Sequence, residues 1–464
     1  MKKPLLSAIL FVSFFILLSG TGCKKTSTTD TSVPTIATQD VILDLTSTTA
    51  QSGGTVSSIG GATISANGVV YSTTDKVPTL ADLKTTDPVI SISNSFTSNL
   101  TGLTAGTTYY LRAYATNQFG TAYGAVVQFT TSTNVSSVTG VVTTFAGNGT
   151  AGYLDGTSTG AEFNTPMGLA VDASGNIYIS DTFNNRIRKI ATDGTVTTIA
   201  GNGTAGYVDG AAADAEFYAP QGLAIDPSGN IFVADYGNNV IREITPAGVV
   251  STYAGNGNAG FVDGAASKVA TFNGPAGVAF DPKGNLFVAD RNNNMIRKIS
   301  PAGGVSLYAG VLKPGYTNLT VDSVIGSWGA FTQPNGITAD AAGNVYVADL
   351  GNNAIRQITP ARVITTIAGG PAQTALVGYP AALSVDASGN IFISDEAGRI
   401  LKLTSARILY VLAGATNVAG YADGTGAAAQ FSTPQGIGVD GSGNIYVADL
   451  NNNRIRKVVV QTNN

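Results

Sequence analysis

The stretch PQGLAIDPSGNIFVADYGNNVIR, residues 220–242, decides the fold. Close copies begin at Pro166, Pro275, Pro334, Pro380 and Pro434, so successive starts lie 54, 55, 59, 46 and 54 residues apart. A period this regular marks a repeat architecture. Within the copy at Pro220, residues 222–225 are short and apolar, as in a buried strand. Asp226-Pro-Ser-Gly-Asn230 predicts a turn, with Gly229 free to take positive φ and Asp226 and Asn230 able to bond nearby backbone. A second strand follows at 231–234, a second turn at 235–239, an alternating third strand at 240–244 and a fourth strand at 249–253. Four short antiparallel strands in each of six units predict a β-propeller.

The ends of the repeat region predict how the ring closes. Val141-Val-Thr-Thr-Phe-Ala-Gly147 matches the fourth strand of a unit but precedes the first full copy, while the last copy stops after its third strand near Val460. The two fragments complete one blade, which leaves no free sheet edge and fixes six blades rather than seven.

Ahead of the ring, Met1-Lys-Lys is a basic start, residues 5–18 are apolar, and Ser19-Gly-Thr-Gly precedes Cys23, the only cysteine. This resembles a bacterial lipoprotein signal: residues 1–22 would be removed and Cys23 lipidated. Residues 23–32, rich in Thr and Ser, read as a flexible tether. Residues 33–132 carry their own alternating pattern. There the run from Leu103 to Asn117, LTAGTTYYLRAYATN, resembles the late strands of a fibronectin type III domain. Tyr109 would be its corner tyrosine and Tyr71 would stand at a common Trp position. That resemblance implies a seven-stranded sandwich serving as a spacer or adhesive module. The unit P-x-G-L-A-V-D-x-x-G-N-I-Y-V-A-D-x-x-N-N-x-I-R in turn resembles the NHL repeat, which implies a six-bladed propeller over residues 139–460. The expected fold is therefore all-β: an immunoglobulin-like (fibronectin type III) sandwich followed by a six-bladed β-propeller.

If the strands of each blade run outward from the axis, the Asp-x-x-Asn-Asn turns and the long segments between blades share one face. Those segments repeat Ala-Gly-Asn-Gly, Gly-Tyr or Gly-Phe, Asp-Gly and Ala-x-Phe. Loops this long are usually functional. Tyr153, Asp155, Tyr207, Asp209, Phe261, Asp263, Tyr421 and Asp423, with Trp328 (the only tryptophan), are the candidate ligand-binding residues of that face. The segment before Pro380 is short and lacks Asp-Gly. Phe163, Phe217, Phe272, Phe331 and Phe431 recur too faithfully for one site and read as packing between blades. Asp181, Asp235, Asp290, Asp349 and Asp449 are each followed seven residues later by Arg188, Arg242, Arg297, Arg356 and Arg456, which reads as internal pairing. In the fifth copy Asp395 keeps its place but Leu401 occupies the Arg slot. One carboxylate per Asp-x-x-Gly-Asn turn does not make a calcium site.

What is missing narrows the chemistry. The chain has no histidine, which excludes a Ser-His-Asp triad, a Cys-His pair and the usual His-based metal site. It also has no phosphate-binding Gly-Lys-Ser/Thr loop. The formal charge is −4 with a pI near 4.9, and −6 once Lys2 and Lys3 leave with the signal, which argues against nucleic acid. With 12% charged residues and 57 glycines, the surface suits glycan or protein contact. The expectation is a monomeric envelope protein, lipid-anchored outside the cytoplasm (at the outer membrane or cell surface of a Gram-negative cell). Its loop face would bind glycan or protein, with no cofactor and no catalytic residues. The alternatives are a lactonase- or lyase-like enzyme with a single divalent cation in an axial carboxylate site, and a structural envelope component.

Overall fold

The computed structural model describes residues 31–91, 94–133, 137–265, 268–317, 329–370 and 376–463. The signal, Cys23 and Trp328 therefore lie outside the described residues.

Each repeat folds as one four-stranded antiparallel blade, with strands a to d running outward. In blade 2 these are Pro220–Ile225, Ile231–Asp235, Val240–Ile244 and Val249–Ala254, within a residue or two of the expected limits. The turn after strand b is a single helical turn that ends on an asparagine in the left-handed region, Asn239 at φ 55°. An amide side chain tolerates that conformation better than a branched one, which accounts for the second Asn of each Asn-Asn pair. Ring closure is as predicted: Ser137–Ala146 is the outermost strand of blade 6 and pairs antiparallel with Arg454–Asn463, Val141 opposite Val459.

Between neighbouring blades lie seams of buried apolar side chains. Phe163, Phe217, Phe272, Phe331 and Phe431 are fully buried there. The innermost strands approach closely at Gly168, Gly222, Gly277, Gly336 and Gly436. A Cβ on Gly168 would stand 2.0 Å from the Gln221 carbonyl oxygen of the next blade. Only glycine allows that approach; in blade 5 the position is Ala382.

The N-terminal module is a two-sheet sandwich. Thr35–Thr38, Thr49–Ser58 and Ser95–Thr101 form one sheet. The other has Ala66–Ser72 and Thr108–Asn117 at its centre, flanked by Leu83–Lys84, Gly120–Tyr123 and Val127–Thr130. Its core contains Val56, Val69, Leu100, Leu111 and Phe129. The Tyr109 hydroxyl accepts the Thr104 N–H at 2.9 Å, the bond expected of a corner tyrosine, and Tyr71 packs 6.2 Å from its ring.

The sandwich is joined to the ring along a sheet edge. Ile42–Leu43 pairs in parallel with the outermost strand of blade 5, Ile408–Gly414. Ile42 N–H donates to the Arg407 carbonyl and Asp44 N–H to that of Leu409. Val41 is fully buried in the core of blades 4 and 5, and Asp40 pairs with Arg407 at 3.0 Å. Blades 1, 2 and 6 gain a short fifth strand at this edge from their own inserts: Gly156–Thr157, Gly210–Ala211 and Gly424–Thr425. Blade 5, whose insert is short, gains it from the sandwich.

Candidate functional site

The buried Asp–Arg pairs fix the loop face. Asp181, at the end of strand b, is fully buried and accepts from the Asn164 N–H (2.7 Å), Asn184 Nδ2 (2.8 Å) and Arg188 Nη1 (2.7 Å). Arg188, also fully buried, lies 5.2 Å from the Phe163 ring. Its Nη2 donates to the Leu154 carbonyl and to Asp155 Oδ1 at 2.7 Å. The other Asp155 oxygen accepts the Thr198 N–H of strand d. One arginine thus ties the inner turn, the insert and, through Asp155, the outer strand together. Arg242 with Asp209, Arg297 with Asp263 and Arg456 with Asp423 repeat the arrangement at 2.6–2.8 Å.

Burial raises Asp181, Asp349 and Asp449, and pushes Asp235 and Asp290 up to about 6, against the pull of their amide, backbone and arginine partners. In blade 5, Arg399 reaches Asp395 instead, and Leu401 is buried opposite Ile393.

The loop-face residues singled out in the sequence are spread around the rim, one set to a blade. Asp155, Asp209, Asp263 and Asp423 hold their inserts in place through the ion pairs above. The Tyr207 hydroxyl bonds Thr252 Oγ1 at 2.9 Å, and that of Tyr421 bonds Thr144 Oγ1 at 2.8 Å. Arg186 covers one side of the Tyr153 ring at 4.2 Å, and Tyr153 and Phe261 remain 60% and 52% exposed. Blade 4 carries an equivalent that sequence reading passed over: the Tyr316 hydroxyl bonds Thr366 Oγ1 at 3.0 Å. The Gly315-Tyr316 pair was the available signal, since Gly152-Tyr153 has the same form.

A second group, unnoticed in the sequence, surrounds the axial opening. In blades 1, 3 and 5 the residue after the strand-b Asp reaches toward the next blade. Thr182 Oγ1 donates to the Pro220 carbonyl, Arg291 Nη1 to Asn335 Oδ1 (3.4 Å), and Glu396 Oε1 accepts from Gln435 Nε2 (2.8 Å). Phe183, Tyr218 and Tyr379 stand beside these turns, 67%, 50% and 55% exposed. The repeat hides this group because the positions vary from blade to blade.

The axial channel itself, about 280 Å³, is walled by the strands a of all six blades. Its lining includes Leu169, Leu223, Val278, Ile337, Leu383 and Ile437, and no ionisable side chain. Among the described residues no three His, Cys, Asp or Glu side chains converge as a metal site would need. Among the described residues, the channel wall itself thus offers no carboxylate to an axial site. The Asp-x-x-Gly-Asn carboxylates at the far face are engaged in their own turns. Asp172 accepts from Ser174 N–H, Asn176 N–H and Nδ2, and the Tyr178 hydroxyl.

This geometry defines a six-bladed β-propeller, five of whose blades match the NHL repeat. The NHL repeat profile matches residues 163–190, 217–242, 272–299, 331–358 and 431–458, passing over blade 5. Among curated proteins, SUPPRESSOR OF QUENCHING 1, chloroplastic, of Arabidopsis thaliana is 29% identical over 276 residues, 55% of this chain and 26% of that protein. Human NHL repeat-containing protein 2 is 31% identical over 253 residues, 47% of this chain and 34% of its own length. The chain thus spans about a third or less of these relatives. Two solved structures from Bacteroides thetaiotaomicron superpose on nearly the whole chain. A structural genomics protein does so with TM-score 0.53 at 18% identity, covering 93% of this chain and 98% of that one. An auxiliary nutrient binding protein does so with TM-score 0.53 at 14% identity, covering 92% and 98%.

Proposed function

We propose that the protein is a non-catalytic recognition protein of the cell envelope, which binds a glycan or a protein on the loop face of the propeller. The observation that carries this reading is the set of exposed aromatic rings, Phe183, Tyr218, Tyr379, Tyr153 and Phe261, on turns and loops tied down by the buried Asp–Arg pairs of blades 1, 2 and 3 and by Asp395 in blade 5. Exposed rings on a fixed frame lose little conformational entropy on binding. The solved auxiliary nutrient binding protein, similar over 92% of this chain, supports the reading at the level of fold. Under this proposal the sandwich is a fibronectin type III domain, and lipidated Cys23 anchors the chain to the membrane outside the cytoplasm.

Screening the purified protein against envelope and extracellular glycans and proteins tests the first part. Binding that weakens several-fold in a Phe183→Ala, Tyr218→Ala double variant supports it. Binding that ignores those changes, or no binding to any surface component, refutes it. Labelling with a radioactive fatty acid tests the anchor, and the label must vanish in Cys23→Ala.

A further inference from the structure

The six copies of the repeat act as controls for one another at the face opposite the loops. In strand c the residue after the framework position lies over the aromatic ring of strand b. Lys189 stands 5.7 Å from the Tyr178 ring, Lys402 5.8 Å from Phe392 and Lys457 5.6 Å from Tyr446. Lys298 holds the same register opposite Phe287. A lysine ammonium over an aromatic face is a cation–π pair.

Blade 4 has the neutral Gln357 opposite Tyr346, and blade 2 inverts the charge: Glu243 lies opposite Phe232. Two more rings meet Phe232 edge-on, Tyr253 at 4.8 Å from its own blade and Phe280 at 4.9 Å from blade 3. All four side chains line one cavity of about 1060 Å³ at the turn-side end of the axial channel. Its other charged lining residues are Asp172, Asp226, Asp281 and Asp340; no lysine or arginine lines it. Pro227, Pro282 and Pro301 add rigid apolar wall. Burial and the charge of Asp226 both raise the Glu243 carboxyl, so a cation beside it would relieve an existing strain.

We propose that this cavity is a binding site for a methylated organic ammonium, which would contact Phe232, Tyr253 and Phe280 and pair with Glu243. The ligand class follows from the lining. Several aromatic rings and prolines favour a cation wrapped in methyl groups over a hydrated metal ion, and the single inverted charge marks the pairing point. The site lies on the opposite face from the proposed recognition surface and does not depend on that proposal.

Titration of the full chain with tetramethylammonium chloride, followed by calorimetry and tyrosine fluorescence, tests the inference. Binding is expected to fall by about tenfold in Glu243→Lys. That variant carries the residue of four other blades and is therefore expected to fold. Phe280→Ala, which installs the side chain that blade 4 has at Ala339, should weaken binding less. Choline must bind and its uncharged tert-butyl isostere must not. No binding of tetramethylammonium at millimolar concentration, equal binding of the neutral isostere, or unchanged binding in Glu243→Lys would each overturn the proposal.

Discussion

Blade 5 and its neighbours solve one problem in two ways. In blades 1, 2, 3 and 6 a buried arginine joins the strand-b Asp to an Asp-Gly insert, whose other carboxylate oxygen bonds the outer strand. Blade 5 has lost both parts: its insert is short and Leu401 fills the arginine slot. Its outer edge is taken instead by Ile42–Leu43 of the sandwich. The difference teaches that the insert is an edge cover as well as a loop. Where a blade lacks one, exposed backbone groups become a docking place for another segment.

Breaking an ordinary blade should have the largest effect. Arg242→Ala leaves Asp235 buried without its cation and frees the insert, at a cost of about 3–5 kcal/mol in chemical denaturation. Limited proteolysis should then cut within residues 201–219. Leu401→Ala in blade 5 creates only a cavity and should leave every insert resistant. Val41→Asp attacks the substitute cover by placing a charge in the shared core. It should cost about 3 kcal/mol or more and separate the sandwich from the ring as two thermal transitions.

The innermost strands give a smaller contrast. Gly222→Ala brings a Cβ to 2.4 Å from the Ala276 carbonyl oxygen and should destabilise by about 1–3 kcal/mol. The reverse change in blade 5, Ala382→Gly, should cost only about 0.5–1 kcal/mol. Smallest is a pH effect absent from blade 5, which has Phe392 at this position. Tyr178, Tyr346 and Tyr446 are pushed up to about 12 by burial and then by Asp172, Asp340 and Asp440. Because these values are raised on folding, their stabilisation is complete below pH ~10 and is lost as pH rises toward ~12. Ultraviolet titration should resolve the three as a late phase, and Asp440→Asn should return Tyr446 toward the ordinary range.

The sequence carried those parts of the fold that repeat. Strand limits followed from alternation and turn residues. Closure followed from two fragments, residues 141–147 and the end at Val460, that each lacked what the other had. The docked sandwich was not legible, because a parallel pairing of Ile42–Leu43 with a strand more than three hundred residues away leaves no local pattern. The candidate site was legible only in part. Arg188 finding its buried Asp partner was visible as a spacing of seven, but its bond to Asp155 spans 33 residues across an insert. Phe183, Tyr218 and Tyr379 were missed because they fall where copies differ, and a repeat reading attends to where they agree.

Hydrogen exchange at residues 40–45 of the full chain tests the account most directly. The amides of Ile42 and Asp44 donate to blade 5, so this segment should exchange as slowly as the strands of the ring and should lose that protection in Val41→Asp. Exchange as fast as an open linker in the unaltered chain would contradict the shared edge and leave blade 5 without its cover.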